Sequence, residues 1–170
     1  MKYVRELIAE NRTDITKDFL QAHFDELKLY AYENTNYFAL ITSRKEYYKA
    51  SMELMDPKVR ADLFNPKHPI YTKVRDDVPS RYGLESSVKG SLIAQGCTID
   101  GTVENSIISK GVRIGKGAHI KNCIIMQDTI IGDNADLSHI IIDKDVTVGE
   151  GKTIIGCESF PMYIAKRSVI

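Results

Sequence analysis

The sequence contains no tryptophan, only three cysteines, and no excess of charge of either sign. Its 170 residues include 23 Lys and Arg against 23 Asp and Glu. Proteins that bind nucleic acid or a membrane surface usually carry a strong basic patch, so this balance argues against both kinds of partner. No apolar run approaches the roughly 20 residues that a membrane-spanning helix needs. The N-terminal MKYVREL also lacks the apolar core of a signal peptide. We therefore predict a cytoplasmic protein.

The cysteines do not form a recognisable pattern. Cys97, Cys123 and Cys157 are odd in number and widely spaced, which suits neither a disulfide framework nor a paired-cysteine metal site. We predict free thiols in a reducing cytoplasm and no metal site.

Residues 91–156 lack Tyr, Phe and Pro entirely, yet 15 of these 66 residues are isoleucine. Residues 1–90 hold only four isoleucines but eight of the nine tyrosines. Clusters of Pro, Asn, Asp and Ser at 65–69 and 76–80 are typical of chain breaks. The sequence thus predicts an α/β-like segment (1–64), a linker (65–87) and a different kind of domain (88–170).

The first segment predicts short helices and strands. Val4, Leu7 and Ile8 fall on one face of an N-terminal helix, and Asp14 or Thr16 can cap a second one. Residues 29–32 and 37–41 are predicted to be short strands. Because two short strands are marginal by themselves, we expect this segment to be the end of a larger α/β domain.

A helix is also predicted from residue 44. Ser43 and Glu46 are spaced as a capping box, and Pro57 after Asp56 favours a further helical turn. The predicted core-facing residues of the first of these helices are Tyr47, Tyr48, Ser51, Met52 and Met55.

A 17-residue repeat dominates the second half of the chain. SIISKGVRIGKGAHIKN (106–122) aligns without gaps on 123–139 and on 140–156, while 91–105 fits with two residues deleted. Large aliphatic residues recur at spacings of 6, 6 and 5. They form three columns: Ile93, Ile108, Ile125 and Ile142; Ile99, Ile114, Ile131 and Val148; Val103, Ile120, Leu137 and Ile154.

These spacings predict a three-sided solenoid. A helix would require a period of about 3.6, and an ordinary strand would alternate every second residue. One aliphatic side chain per side points to the axis, flanked by polar residues that face outward. Glycine or Asn falls at the corners, and Ile164 and Ile170 are spaced to continue the stack of four to five coils.

An aliphatic residue every six positions, often followed by Gly, resembles the hexapeptide repeat of left-handed parallel β-helices. The resemblance implies a mainly β fold and its handedness. Two classes of protein with this repeat compete as interpretations of the chain: acyltransferases, which use a His as general base, and nucleotidyltransferases, which carry the β-helix as an appendage. His119 and His139 lie in the coils, but their positions are those of ordinary outward-facing residues.

The segment ahead of the coils favours the second class. Residues 37–42 (YFALIT) followed by SRKEYYKASM resemble the end of the catalytic domain of the glucose-1-phosphate adenylyltransferase family. The linker motif PIYT (69–72) and TVENS (102–106) also resemble that family. In the family's strand an Asp helps to hold the Mg²⁺ of the triphosphate, whereas this chain has Leu40, which cannot bind a hard cation.

The resemblance therefore implies a non-catalytic, regulatory type of subunit. It would contact a catalytic adenylyltransferase subunit, or itself, through the β-helix during ADP-glucose formation for glycogen synthesis. This chain would need no cofactor, whereas the catalytic partner would use Mg²⁺ and ATP. Two alternatives stay open: a hexapeptide-repeat acyltransferase, and the tail of an active adenylyltransferase.

Family effectors are phosphorylated sugars or nucleotides. Four basic residues crowd the linker and are predicted to pair with the phosphate oxygens of such an effector. They are Lys67, Lys73, Arg75 and Arg81.

Overall fold

Within residues 2–72 and 76–170, which are the residues it describes, the computed structural model contains three α-helices, one π-helical turn and fifteen short strands. The chain divides into two units, Met1–Thr35 and Asn36–Ile170.

The first unit consists of helix α1 (Lys2–Ala9) and the π-helical turn Ile15–Gln21. Leu7 is buried, and the rings of Tyr3 and Phe19 lie 4.8 Å apart. Asp14 caps the turn as predicted, because its carboxylate accepts hydrogen bonds from the amides of Thr16 and Lys17. The predicted strand at 29–32 is wrong. These residues have no strand partner in the described structure, and an extended segment without a neighbour cannot form a ladder.

The second unit begins with helices α2 (Arg44–Glu53) and α3 (Pro57–Leu63). Both predicted helix starts are confirmed: the Ser43 hydroxyl accepts from the Glu46 amide, and the Asp56 carboxylate accepts from the Lys58 amide. The Glu46 carboxylate, however, accepts from the amide of Thr42. The predicted strand at 37–41 is wrong for the same reason as that at 29–32, since no described segment pairs with it.

The rest of the second unit is a parallel β-solenoid with three faces of five strands each. The first face contains β1 (Arg81–Tyr82), β4 (Thr98–Ile99), β7 (Arg113–Ile114), β10 (Ile130–Ile131) and β13 (Thr147–Val148). The second contains β2 (Ser87–Lys89), β5 (Thr102–Glu104), β8 (His119–Lys121), β11 (Asp136–Ser138) and β14 (Thr153–Ile155). The third contains β3 (Leu92–Ile93), β6 (Ile107–Ile108), β9 (Ile124–Ile125), β12 (Ile140–Ile142) and β15 (Met162–Ile164).

The three predicted columns are confirmed residue by residue. Ile131 pairs with Ile114 and Val148, and Leu137 pairs with Ile120 and Ile154. The third face extends its column to Ile164, as predicted for the tail. Nearly all of these aliphatic side chains lie in one continuous core along the axis. The ladder already begins at β1, inside the segment predicted as a linker (65–87), because Arg81 and Tyr82 pair with Thr98 and Ile99.

Two kinds of corner residue allow the coils to stack. Gly117, Asn134 and Gly151 occupy one corner with φ of 66°, 56° and 65°, the left-handed region that favours Gly and Asn. Gly132 is required by close approach, since a Cβ there would lie 2.6 Å from the amide nitrogen of Glu150 in the next coil.

The third face differs from the prediction that polar residues flank each inward aliphatic. Its outward residues are apolar: Leu92, Ile107, Ile124, Ile141 and Tyr163. An apolar outer face needs a cover, and helix α2 covers part of it.

Candidate functional site

Helix α2 is fixed to the third face of the solenoid by Tyr48. The Tyr48 ring is buried against Ile124 and Ile141, with Tyr47, Met52 and Met126 packed around them. Its hydroxyl donates a hydrogen bond of 2.7 Å to the backbone carbonyl of Asn122. Burial raises the pKa of Tyr48 to about 12, so the hydroxyl remains a donor at any physiological pH. Apolar packing and the Tyr48 hydrogen bond together attach α2 to the third face of the solenoid.

The Asn122 carbonyl belongs to a corner where three polar residues stack coil upon coil. The Asn105 amide nitrogen donates to the Asn122 side-chain oxygen at 2.6 Å, and the Asn122 amide nitrogen lies 3.1 Å from Nε2 of His139. Asn105, Asn122 and His139 all have positive φ. His139 is therefore a corner residue in a hydrogen-bonded ladder.

A groove of about 540 Å³ lies between the N-terminal end of α2 and the last coils. The Arg44 guanidinium stands over the Tyr163 ring, 4.8 Å from its centre, and the Tyr163 hydroxyl donates a 2.7 Å hydrogen bond to Asp143. This bond, together with the Lys144 amide, lowers the pKa of Asp143. The groove thus presents a cation stacked on an aromatic ring beside an ionised carboxylate, above an apolar floor of Met126 and Ile141.

The structure describes two of the four predicted effector residues, Lys67 and Arg81. Arg81 projects from β1 and forms an ion pair of 3.8 Å with Asp100, and the Lys67 amide donates to the Asn65 side chain. Lys73 and Arg75 lie outside the described residues. No described contact joins Lys67 to Arg81, so an effector site at these four residues stays a prediction.

The candidate catalytic positions named from the sequence lie on separate elements. His119 lies exposed on β8, and Leu40 is exposed in the segment before α2. Among the described residues, no three His, Cys, Asp or Glu side chains are grouped so that they could hold a metal ion. Cys97 and Cys123 are buried and Cys157 is exposed, and all three are free thiols.

Sequence reasoning missed the groove and the docking of α2. The available signal was the doubled aliphatic at each third-face position, such as Ile124-Ile125 and Ile141-Ile142, because the first of each pair faces outward. In the part of the chain that the structure describes, no helix is long and apolar enough to cross a membrane.

Comparison with known proteins agrees with this architecture. Residues 76–159 match the family described as "GlmU-like, C-terminal hexapeptide". The chain is 46% identical over 95 residues to glycogen biosynthesis protein GlgD of Bacillus subtilis, which covers 56% of this chain and 28% of that protein. It is 59% identical over 69 residues to GlgD of Geobacillus stearothermophilus, covering 41% of this chain and 20% of that protein.

The similarity extends to enzymes. Over 109 residues the chain is 36% identical to the glucose-1-phosphate adenylyltransferase of Geobacillus stearothermophilus, covering 64% of this chain and 28% of that protein. The matched segments thus span less than a third of each of these relatives. The predicted resemblance and the hexapeptide-repeat fold are both confirmed.

Proposed function

For a chain related to the C-terminal parts of GlgD and of glucose-1-phosphate adenylyltransferases, we propose a regulatory and subunit-contact role in an ADP-glucose-forming complex of glycogen synthesis. Its partner is a catalytic adenylyltransferase subunit, which supplies the Mg²⁺ and ATP chemistry. The proposal places the complex in the cytoplasm.

The docking of α2 on the third face is the observation that carries this proposal. It joins the two parts of the chain that resemble the adenylyltransferase family, the segment around α2 and the coils, into one unit. Because Tyr48 is both buried and hydrogen-bonded to a corner of the solenoid, a displacement of the coils must move α2 as well. Such a rigid connection is what a regulatory part needs to pass an effect from one region to another.

Leu40 supports a non-catalytic role. An alkyl side chain supplies no oxygen ligand for Mg²⁺, so residue 40 cannot take the part that Asp plays at the matching position of the family. We therefore assign nucleotide chemistry to the partner subunit.

Lys67 and Arg81, with Lys73 and Arg75, remain the proposed contacts for a phosphorylated effector. Guanidinium and ammonium groups are the side chains that bind phosphate oxygens most strongly. Binding at Arg81 would compete with its 3.8 Å ion pair to Asp100, which is weak because the Arg81 side chain is mostly exposed.

The test is ADP-glucose formation from ATP and glucose 1-phosphate. The chain is mixed with the glucose-1-phosphate adenylyltransferase of Geobacillus stearothermophilus, with and without fructose 1,6-bisphosphate as a phosphorylated probe. We expect no product from the chain alone, co-elution with the enzyme, and an altered rate or effector response in the mixture. The double variant K67A/R81A should lose the effector response, while K152A, a cation near the other end of the solenoid, should keep it.

The remaining outcomes separate the alternatives. ADP-glucose formation by the chain alone would refute the non-catalytic role and favour an active adenylyltransferase. No co-elution and no change in rate, combined with acetyl transfer from acetyl-CoA, would favour the acyltransferase, for which His119 and His139 are the candidate bases.

A further inference from the structure

The corner between the second and third faces carries three stacked side chains that the proposed function does not use. Asn105, Asn122 and His139 lie 17 residues apart, at equivalent places in three successive coils. Their φ angles are 44°, 52° and 53°, so the chain turns in the same way at each of them. Asn105 donates to the Asn122 side-chain oxygen at 2.6 Å, and the Asn122 amide nitrogen lies 3.1 Å from Nε2 of His139. We call these three residues the corner ladder.

The hydrogen bonds of the corner ladder all run in one direction. Each asparagine donates to the side chain one coil further along, so Nε2 of His139 is the last acceptor. An imidazole nitrogen accepts only through a lone pair, so in this arrangement the ring is neutral and its proton is on Nδ1. The other end of the ladder is open to solvent, because Asn105 is exposed whereas Asn122 and His139 are half-buried.

Protonation of His139 is incompatible with this direction. Both nitrogens of an imidazolium are donors, so Nε2–H would face the N–H groups of Asn122 and the hydrogen bond between them would be lost. A half-turn of the Asn122 amide restores the bond, because its side-chain oxygen then accepts from Nε2–H. The Asn122 nitrogen then points to Asn105, whose amide must turn in the same way to accept from it.

The elements around His139 contribute titratable and charged groups of both signs. They are Lys121 in the preceding coil, Asp136 in the same coil, Cys157 and Glu158 in the next one, Tyr48 on α2 and Tyr163 on β15. Asp136, Glu158 and Lys121 are exposed, so water screens their effect on the ring. The hydroxyls of Tyr48 and Tyr163 donate to the Asn122 carbonyl and to Asp143. The side chain that meets Nε2 directly is that of Asn122, so its amide responds to the charge of the ring.

We propose that the corner ladder is a proton-controlled switch, in which protonation of His139 reverses the side-chain amides of Asn122 and Asn105. Asn105 presents its side-chain oxygen to solvent when the ring is neutral, and its N–H groups when the ring is protonated. The change from acceptor to donor takes place two coils, or roughly 10 Å, from the proton. A partner group that meets this corner therefore finds an acceptor above the transition and a donor below it. The switch uses neither Leu40 nor the linker cations, so it stands independently of the function proposed above.

The test follows the side-chain amide and imidazole resonances of the full chain by NMR. Histidine is the side chain that ordinarily changes charge between about pH 5 and 8, which sets the range of the titration. We expect the side-chain amide resonances of Asn105 and Asn122 to shift together, with the same midpoint as the His139 ring.

Two variants separate reversal of the ladder from a charge that acts through space. H139N replaces the titrating ring by the residue that occupies the other two coils, and N122G removes the middle amide while glycine keeps the positive φ. Asn105 should lose its pH response in both, although His139 still titrates in N122G. H119N is the matched control, because His119 is exposed on β8 and lies outside the corner ladder, and it should keep the response.

A pH response of Asn105 that survives in H139N or N122G would overturn the proposal, because another group or a through-space effect would then cause it. An Asn105 amide that does not respond while the His139 ring titrates would overturn it as well. So would a ring that stays neutral until the chain unfolds. The backbone amide spectrum verifies that each variant keeps the native fold.

Discussion

Tyr163 shows how one side chain links the solenoid to the segment ahead of it. Its ring carries the Arg44 guanidinium, which belongs to α2, and its hydroxyl donates to Asp143 on the coil beneath. The same hydrogen bond lowers the pKa of Asp143 and raises that of Tyr163, because it stabilises the ionised carboxylate and the neutral phenol. The two functions of Tyr163, stacking and hydrogen bonding, are separable by removing only the hydroxyl.

Replacing Tyr163 by Phe should raise the pKa of Asp143 toward its ordinary value. In the native chain this pKa is depressed, so the carboxylate contributes stability above its unfolded pKa and loses that contribution as pH falls through the folded pKa. The difference in stability between native protein and Y163F should therefore shrink in acid. A carbon-detected NMR titration of Asp143 measures the pKa, and urea unfolding at neutral and acidic pH measures the stability.

Tyr47→Phe is the matched control for that substitution. Tyr47 lines the same groove, but the hydroxyl that donates to Asp143 is that of Tyr163. An Asp143 pKa that moves equally in Y47F and Y163F would show that the groove as a whole, and not the Tyr163 hydroxyl, sets the carboxyl pKa.

At the scale of elements, stacking of the coils depends on glycines that meet the next coil directly. The Gly132 amide donates to the Val148 carbonyl at 2.8 Å, and Gly149 makes the equivalent bond to Ile170. Their surroundings differ. A Cβ at Gly132 would lie 2.6 Å from the Glu150 nitrogen, but at Gly149 the nearest atom is the Ile170 carbonyl oxygen at 3.1 Å.

Gly132→Ala should therefore destabilise the chain by about 1–3 kcal/mol, since backbone of the neighbouring coil must move. Gly149→Ala should cost less, because the nearest atom to its Cβ would lie 3.1 Å away, and a shift of a few tenths of an ångström relieves that contact. Thermal unfolding followed by circular dichroism compares the two. Equal losses of stability would mean that the 2.6 Å contact at Gly132 is relieved as easily as the 3.1 Å contact at Gly149.

The elements that the sequence predicted well are those specified by repetition. Each inward column, such as Ile114-Ile131-Val148, recurs in several coils, so a single mismatch could not have hidden the pattern. The strand at 37–41 was predicted wrongly because its apolar run specifies burial but not the neighbour that would pair with it. The repeat does not predict the docking of α2, because its columns specify only the inward residues. The outward Ile124 and Ile141 are apolar, which indicates a covered surface but not which segment covers it.

At the scale of the whole molecule, nearly all the buried apolar residues belong to the unit Asn36–Ile170. That unit contains the solenoid core and the Tyr48 cluster, while the unit Met1–Thr35 contributes Leu7. A segment that holds its own continuous core is able to fold independently. The candidate site lies within it.

A chain shortened to residues 36–170 should therefore keep the native solenoid, and its thiols report whether it does. Cys97 and Cys123 are buried in the core, and burial raises the pKa of Cys123 to about 12. Cys157 is exposed, and a hydrogen bond with Ser159 lowers its pKa. Only the thiolate reacts, so one thiol should react quickly with a disulfide reagent and two should be slower by roughly a hundredfold or more.

In denaturant all three thiols should react at similar rates, which calibrates the experiment. The full chain provides the comparison, and we expect the same pattern of one fast and two protected thiols in both. Rapid reaction of Cys97 or Cys123 in the shortened chain alone would contradict the independence of the unit. Because Cys97 lies in the first coils and Cys123 in the middle ones, the identity of the exposed thiol would show where the solenoid opens.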